Sequence, residues 1–268
     1  MDENINKIVK KEKNDNGILR LILDDEENKN ALSERMMEEL INIFSKASSD
    51  ESTRVIVIAA TGKVFCSGHN LKEINEARKL ENGGESYYFE LFKTCSFLMQ
   101  SIVNCSKPVI AEVNGIATAA GCQLLASCDL AISSNSSKFA TPGVNIGLFC
   151  STPMVALSRN VSKKDAMKML LTGDMISARE AKEISLINQN VPDELLTKSV
   201  MDLAKKIAKK SSLVIQTGKK SFYKQIELNL SDAYEYTSKI MAENILKDDA
   251  KEGINAFLEK RDPYWRDI

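Results

Sequence analysis

The chain is poor in several chemically useful groups. Its 268 residues include one histidine and one tryptophan, and the six cysteines (Cys66, Cys95, Cys105, Cys122, Cys128 and Cys150) form no C-x-x-C pair. A zinc centre therefore has almost no ligands to draw on, and the cysteines are expected to be reduced thiols in a reducing compartment. Net charge is also missing, since 36 Lys and Arg stand against 37 Asp and Glu. That balance gives no reason to expect nucleic acid or an anionic membrane as a partner, and any phosphate site has to be built locally. No stretch approaches the ~20 apolar residues of a membrane span. Met1-Asp2-Glu3-Asn4 carries acids where a secretory signal is basic and then apolar. The expected location is cytoplasmic in a bacterium, or the mitochondrial matrix in a eukaryote.

What is present is ample core material, with 43% hydrophobic residues. Ile18 to Leu23, Arg54 to Ala60, Pro108 to Val113 and Leu130 to Ser133 read as short strands separated by helical stretches, a βαβ-like alternation that predicts an α/β fold. Ser33 is a good N-cap, and Met36, Leu40, Ile43 and Phe44 follow at helical spacing. Ser162 is placed to cap a helix that Gly173 ends, and Ser177-Ala178-Arg179-Glu180 has capping-box spacing. Further helices are predicted over 194–210, 214–224 and 231–247. The polar stretch Glu73 to Ser86, with Gly83-Gly84, is the best candidate for a flexible loop.

Two small-residue turns about fifty residues apart carry the chemistry: Phe65-Cys66-Ser67-Gly68-His69-Asn70 and Asn114-Gly115-Ile116-Ala117-Thr118-Ala119-Ala120-Gly121-Cys122-Gln123. Each comes after a buried run, Val55 to Ile58 and Val109 to Val113, so each is expected where a strand turns into a loop or helix. Two backbone N–H groups meeting at one point would form an oxyanion hole for a thioester carbonyl, and losing one such donor typically costs roughly a hundredfold in rate.

These segments resemble the enoyl-CoA hydratase/isomerase (crotonase) family. The resemblance runs from about Gly17 to Trp265 and includes Asn28-Lys29-Asn30-Ala31-Leu32-Ser33 and Glu252-Gly253-Ile254-Asn255-Ala256-Phe257-Leu258-Glu259-Lys260-Arg261. Within the family, Gly68-His69-Asn70-Leu71-Lys72, Ala119 to Gln123 and Thr141 to Gly147 are most similar to the enoyl-CoA hydratase domain-containing protein 3 subgroup. The resemblance implies a crotonase (ClpP-like) fold of stacked ββα turns in residues 1–204, followed by a helical trimerisation region in 205–268. It implies a homotrimer or a dimer of trimers. It also implies a coenzyme A thioester as substrate or ligand, with no permanently bound cofactor. The oxyanion donors would be the backbone N–H groups of His69 and Ala120, the latter near the start of a helix over Gly121 to Ser127. Glu27, Asn28, Lys29 and Ala31 would border the pantetheine channel, Ser67, Asn70, Leu71 and Gly143 the substrate, and Lys72 and Lys260 the phosphates.

The sequence then departs from the hydratases. Their two catalytic glutamates match Gln123 and Gly143 here. Gln123 can orient a water but cannot exchange a proton near neutral pH, and Gly143 offers no side chain. Weak or absent hydratase activity is therefore expected. Decarboxylation of a malonyl-type thioester and non-catalytic acyl-CoA binding in fatty-acid metabolism are the alternatives. Cys150 is a candidate nucleophile if its thiolate is favoured, and otherwise a small wall residue. The side chain of His69 is expected to be packed rather than catalytic.

Overall fold

In the computed structural model, which describes residues 8–267, the strands divide between two sheets. The larger sheet has the order β1 (Val9–Lys13), β2 (Ile18–Leu23), β3 (Val55–Ala60), β5 (Val109–Val113), β7 (Leu130–Ser134) and β10 (Gln189–Val191); β1 is antiparallel to β2 and the rest are parallel. The smaller sheet has the order β4 (Val64–Cys66), β6 (Ile116–Thr118), β8 (Lys138–Ala140) and β9 (Ile176–Ser177). Three successive turns of the chain, beginning at β3, β5 and β7, each place one strand in the larger sheet, the next (β4, β6, β8) in the smaller, and then a helix. The expected stack of ββα units is therefore present.

Residues alternate across β3 as the pleat requires. Val55 and Val57 face α8 (Leu196–Ala208) through Val200 and Ala204, whereas Ile56 and Ile58 join the main core with α1 (Glu34–Ser49). The hydroxyl of Ser33 caps α1 by accepting from the N–H of Met36 at 3.2 Å, and Met36, Leu40, Ile43 and Phe44 are all buried. Two expectations are corrected. Glu73 to Ser86 is not a loop, because it comprises most of α2 (Leu71–Ala77), a 3-10 turn (Glu81–Gly84) and the start of α3 (Glu85–Val103). The boundary expected at 204/205 falls inside α8, where Ala204 and Ala208 are both buried against the larger sheet. The helical region thus begins at α9 (Ser212–Gln225), followed by α10 (Leu230–Ile245) and α11 (Asp248–Glu259). No helix among the described residues is long and apolar enough to cross a membrane.

Candidate active site

The two small-residue turns come from the smaller sheet rather than directly from β3 and β5, which corrects the expected origin. The first follows β4 and the second follows β6, and these strands pair in parallel, Val64 opposite Ile116 and Cys66 opposite Ala117. Parallel neighbours end side by side, so the turns leave the sheet together. The Thr118 hydroxyl donates to the carbonyl of Ser67 at 3.0 Å and ties them. Gly68 and Gly121 tolerate no side chain. At Gly68 (φ +96°) a Cβ would lie 2.9 Å from the Ala119 Cβ and 3.2 Å from the Ala120 nitrogen, and at Gly121 it would lie 2.1 Å from the Cys66 carbonyl oxygen.

The close approach leaves two donors unused. Among the described residues, neither the N–H of His69 nor that of Ala120 makes a hydrogen bond. Ala120 begins α4 (Ala120–Ala126), one residue earlier than expected, so its N–H belongs to the set that a helix cannot satisfy internally. The preceding Ala119 has φ 50° and ψ −120°, a conformation that favours glycine. Strain of this kind costs on the order of 1–3 kcal/mol and persists only where surrounding contacts enforce it.

The supports are dense. The N–H of Ser67 donates to the carbonyl of Lys29 at 3.2 Å, and that of Leu32 to Gly68 at 2.8 Å, so residues 29–32 run alongside the first turn. Asn30 holds this segment and was not singled out from the sequence. Fully buried, it accepts from the Asp25 N–H at 2.8 Å and donates to the carbonyls of Thr61 and Val64 at 2.9 and 2.7 Å. Glu27 and Lys29 are exposed, Asn28 is half-buried with its amide on Asp25 at 2.9 Å, and Ala31 is buried. Asn70 caps α2 by accepting from the Lys72 N–H at 3.0 Å and donates to Glu73 at 3.2 Å, so it braces the loop. Burial raises the Glu73 pKa, and its other oxygen accepts from the Glu34 N–H at 3.2 Å.

The imidazole of His69 sits edge-on to Phe92 of α3 with ring centres 5.4 Å apart. Among the described residues both ring nitrogens are sealed from solvent without a partner in hydrogen-bond geometry; burial lowers the pKa, against a smaller upward pull from the nearby Leu32 backbone, and favours the neutral form. Gln123 is buried on α4. Gly143 lies in the 3-10 turn Pro142–Ile146, and its N–H donates to the Cys150 sulfur at 3.3 Å. A Cβ there would lie 2.9 Å from that sulfur and 2.6 Å from the Leu148 carbonyl oxygen, so the loop is closed against any side chain at 143. Burial raises the Cys150 pKa, and that of Cys122 to about 12, which disfavours a thiolate nucleophile at either position. Leu71 and Lys72 are exposed beside the first turn. Lys260 is the exposed, left-handed C-cap of α11, which packs on α10.

The family model for enoyl-CoA hydratase/isomerase matches residues 13–268. The enoyl-CoA hydratase domain-containing protein 3, mitochondrial, of Xenopus laevis is 47% identical over 251 residues, 94% of this chain and 84% of that protein. Its Homo sapiens counterpart is 48% identical over 249 residues, 93% of this chain and 80% of that protein. The crystal structure of human enoyl Coenzyme A hydratase domain-containing protein 3 superposes with a TM-score of 0.92 at 46% identity, covering 97% of this chain and 100% of that one. An enoyl-CoA hydratase structure from Mycobacterium smegmatis gives a TM-score of 0.93 at 43% identity, covering 97% and 99%. With the stacked ββα units and the paired turns, these matches establish that the chain belongs to the enoyl-CoA hydratase/isomerase family.

Proposed function

We propose that the chain binds an acyl-CoA thioester with its carbonyl oxygen between the N–H groups of His69 and Ala120, and that it is at most a weak hydratase. The observation carrying this reading is that both donors are unused at the ends of adjacent strands, in a setting of small residues and enforced strain. Donors fixed in advance need no reorganisation when charge develops on an oxygen, which is how such a pair stabilises an enolate or a tetrahedral intermediate.

The same surroundings argue against ordinary hydration. Adding water across a double bond requires a group that takes a proton and one that gives it, each typically worth roughly 10²–10⁴ in rate. Gln123 does neither near neutral pH, Gly143 has no side chain and no room for one, and the Cys150 thiol stays protonated. The coenzyme passes along residues 27–31. Lys72 and Lys260, both exposed and outside every ion pair among the described residues, are the cations assigned to its phosphates, with no other cofactor held. Exposed apolar residues on α9 to α11, including Phe222, Tyr234, Met241 and Phe257, support assembly as a trimer or a dimer of trimers.

The test is incubation with crotonyl-, methylmalonyl-, ethylmalonyl-, acetyl- and a long-chain enoyl-CoA, with products read by mass and binding by thermal shift. Stabilisation by these thioesters without a gain of water is the expected result. Loss of CO2 would identify a malonyl-type decarboxylase, and stabilisation with no product a non-catalytic binder. Efficient hydration of crotonyl-CoA, or no binding of any thioester, would overturn the proposal.

A further inference from the structure

A third unused donor lies one helical turn beyond Ala120. The side-chain oxygen of Gln123 faces the Cys95 sulfur of α3 at 3.9 Å, within reach of an S–H donor. Burial raises the Cys95 pKa to about 12, so this thiol keeps the proton it donates. The opposite rotamer of the amide would set its N–H against that S–H. With the oxygen held by Cys95, the Nε2 amino group makes no hydrogen bond among the described residues. Unlike the nitrogens of His69, it is not sealed from accessible space, although Gln123 as a whole is only 4% exposed. A buried donor left unmade is costly, so this one is suited to an acceptor that arrives from outside the protein.

We propose that Gln123, oriented by Cys95, donates a hydrogen bond to the acyl group and selects CoA thioesters that carry an oxygen acceptor, a carboxylate or a ketone, one or two bonds beyond the thioester carbonyl. The inference rests on the reading that the thioester oxygen sits between His69 and Ala120. Three residues of helix advance about 4.5 Å, a span that places the amide beside the first carbons of the acyl chain and not its far end. In this arrangement Gln123 touches the ligand, and Cys95 is a positioning residue that acts through it.

The experiment is calorimetric titration of the full-length protein with malonyl-CoA, acetoacetyl-CoA and butyryl-CoA, repeated for Gln123→Met, Gln123→Leu, Cys95→Ala and Cys95→Ser, with melting temperature as the check on folding. The wild type is expected to bind both oxygen-bearing thioesters about tenfold or more tightly than butyryl-CoA, the size of one hydrogen bond. That ratio should collapse towards one in Gln123→Met or Gln123→Leu and fall in Cys95→Ala. It should return in Cys95→Ser, whose hydroxyl donates to the same oxygen; a purely structural role for Cys95 would not produce that rescue. A preference for malonyl-CoA alone assigns a carboxylate, and one for both a general acceptor. Equal binding of all three by the wild type, or a ratio that persists in the folded Gln123 variants, overturns the inference while leaving thioester binding intact. Failure of all three to bind overturns it together with the reading beneath it.

Discussion

Two polar regions of this molecule treat their hydrogen bonds in opposite ways. Around Asp129, at the start of β7, every strong group is paired: one carboxylate oxygen takes Lys219 at 2.7 Å and the Val109 N–H at 2.7 Å, the other takes the Tyr223 hydroxyl at 2.9 Å, and Lys219 also donates to the carbonyls of Ile102 and Lys107. This network fastens α9 to the core. At the ends of β4 and β6, among the described residues, the N–H groups of His69 and Ala120 are free and both imidazole nitrogens are unpartnered, while Ala119 is held in a strained conformation. The contrast separates a region that the fold completes by itself from one that it leaves incomplete. Unmade bonds and strain are tolerated only where the surrounding contacts are strong enough to enforce them.

The largest effect should come from breaking the completed region. Lys219→Met leaves the half-buried Asp129 carboxylate without its cation; removing one partner of a fully buried pair typically costs about 3–5 kcal/mol, which is the upper bound here. A fall of up to that size in the denaturant-unfolding free energy is expected, with acyl-CoA affinity in the folded protein unchanged. Equal loss of binding would erase the distinction between the regions. Gly121→Ala should do the reverse. Its methyl would meet the Cys66 carbonyl at 2.1 Å and push the start of α4 away from the first turn. Overpacking of this kind typically costs about 1–3 kcal/mol of stability. Thioester stabilisation in a thermal-shift assay should be abolished, a greater loss of function than of fold.

The two regions were also unequally legible in the sequence. Helix ends read well because their signals are local: Ser33 and Ser162 cap α1 and α6 (Lys163–Thr172), Gly173 ends α6, and Ser177 with Glu180 forms a complete capping box. The longer apolar strands β2, β3, β5 and β7 were equally plain. The strands that position the site were not. β4, β6 and β8 have three residues each, too few to show a period, and their pairing partners lie far along the chain. The turns were recognised by their small residues, while the reason they meet was invisible. Glu73 to Ser86 misled because its polar residues and Gly83-Gly84 look like a loop, whereas α2 and α3 are joined through a tight left-handed turn at Gly83 and Gly84. Asn30 and Cys95 escaped notice because each acts on groups about thirty residues away, Asn30 on two backbone carbonyls and Cys95 on one amide.

The strain at the incomplete region can be measured directly. Ala119→Gly replaces a residue at φ 50°, ψ −120° by the one that adopts this conformation without steric penalty, at the expense of greater freedom in the unfolded chain. Relief of about 1–3 kcal/mol of strain against ~0.5–1 kcal/mol of added entropy predicts a net stabilisation of about 1 kcal/mol and a higher melting temperature. A destabilised variant would show that Ala119 is not strained.

The smallest effect is expected from pH and tests whether the imidazole of His69 truly lacks partners. Its pKa is lowered in the folded protein from the ordinary 6.5 by burial. As pH falls below 6.5, the unfolded chain takes up a proton at this residue that the folded chain refuses until a lower pH, so the unfolded state binds more protons and stability decreases with acidification. The loss begins near pH 6.5 and levels off once the folded form is protonated as well. His69 is the only histidine, so no other imidazole contributes in that window. His69→Phe, which keeps an aromatic ring against Phe92, should remove this component of the slope between pH 6.5 and 5 while leaving the part due to carboxylates. If the variant and the wild type have the same pH dependence in urea unfolding, the imidazole has found a partner, and the incomplete region is smaller than the free N–H groups imply.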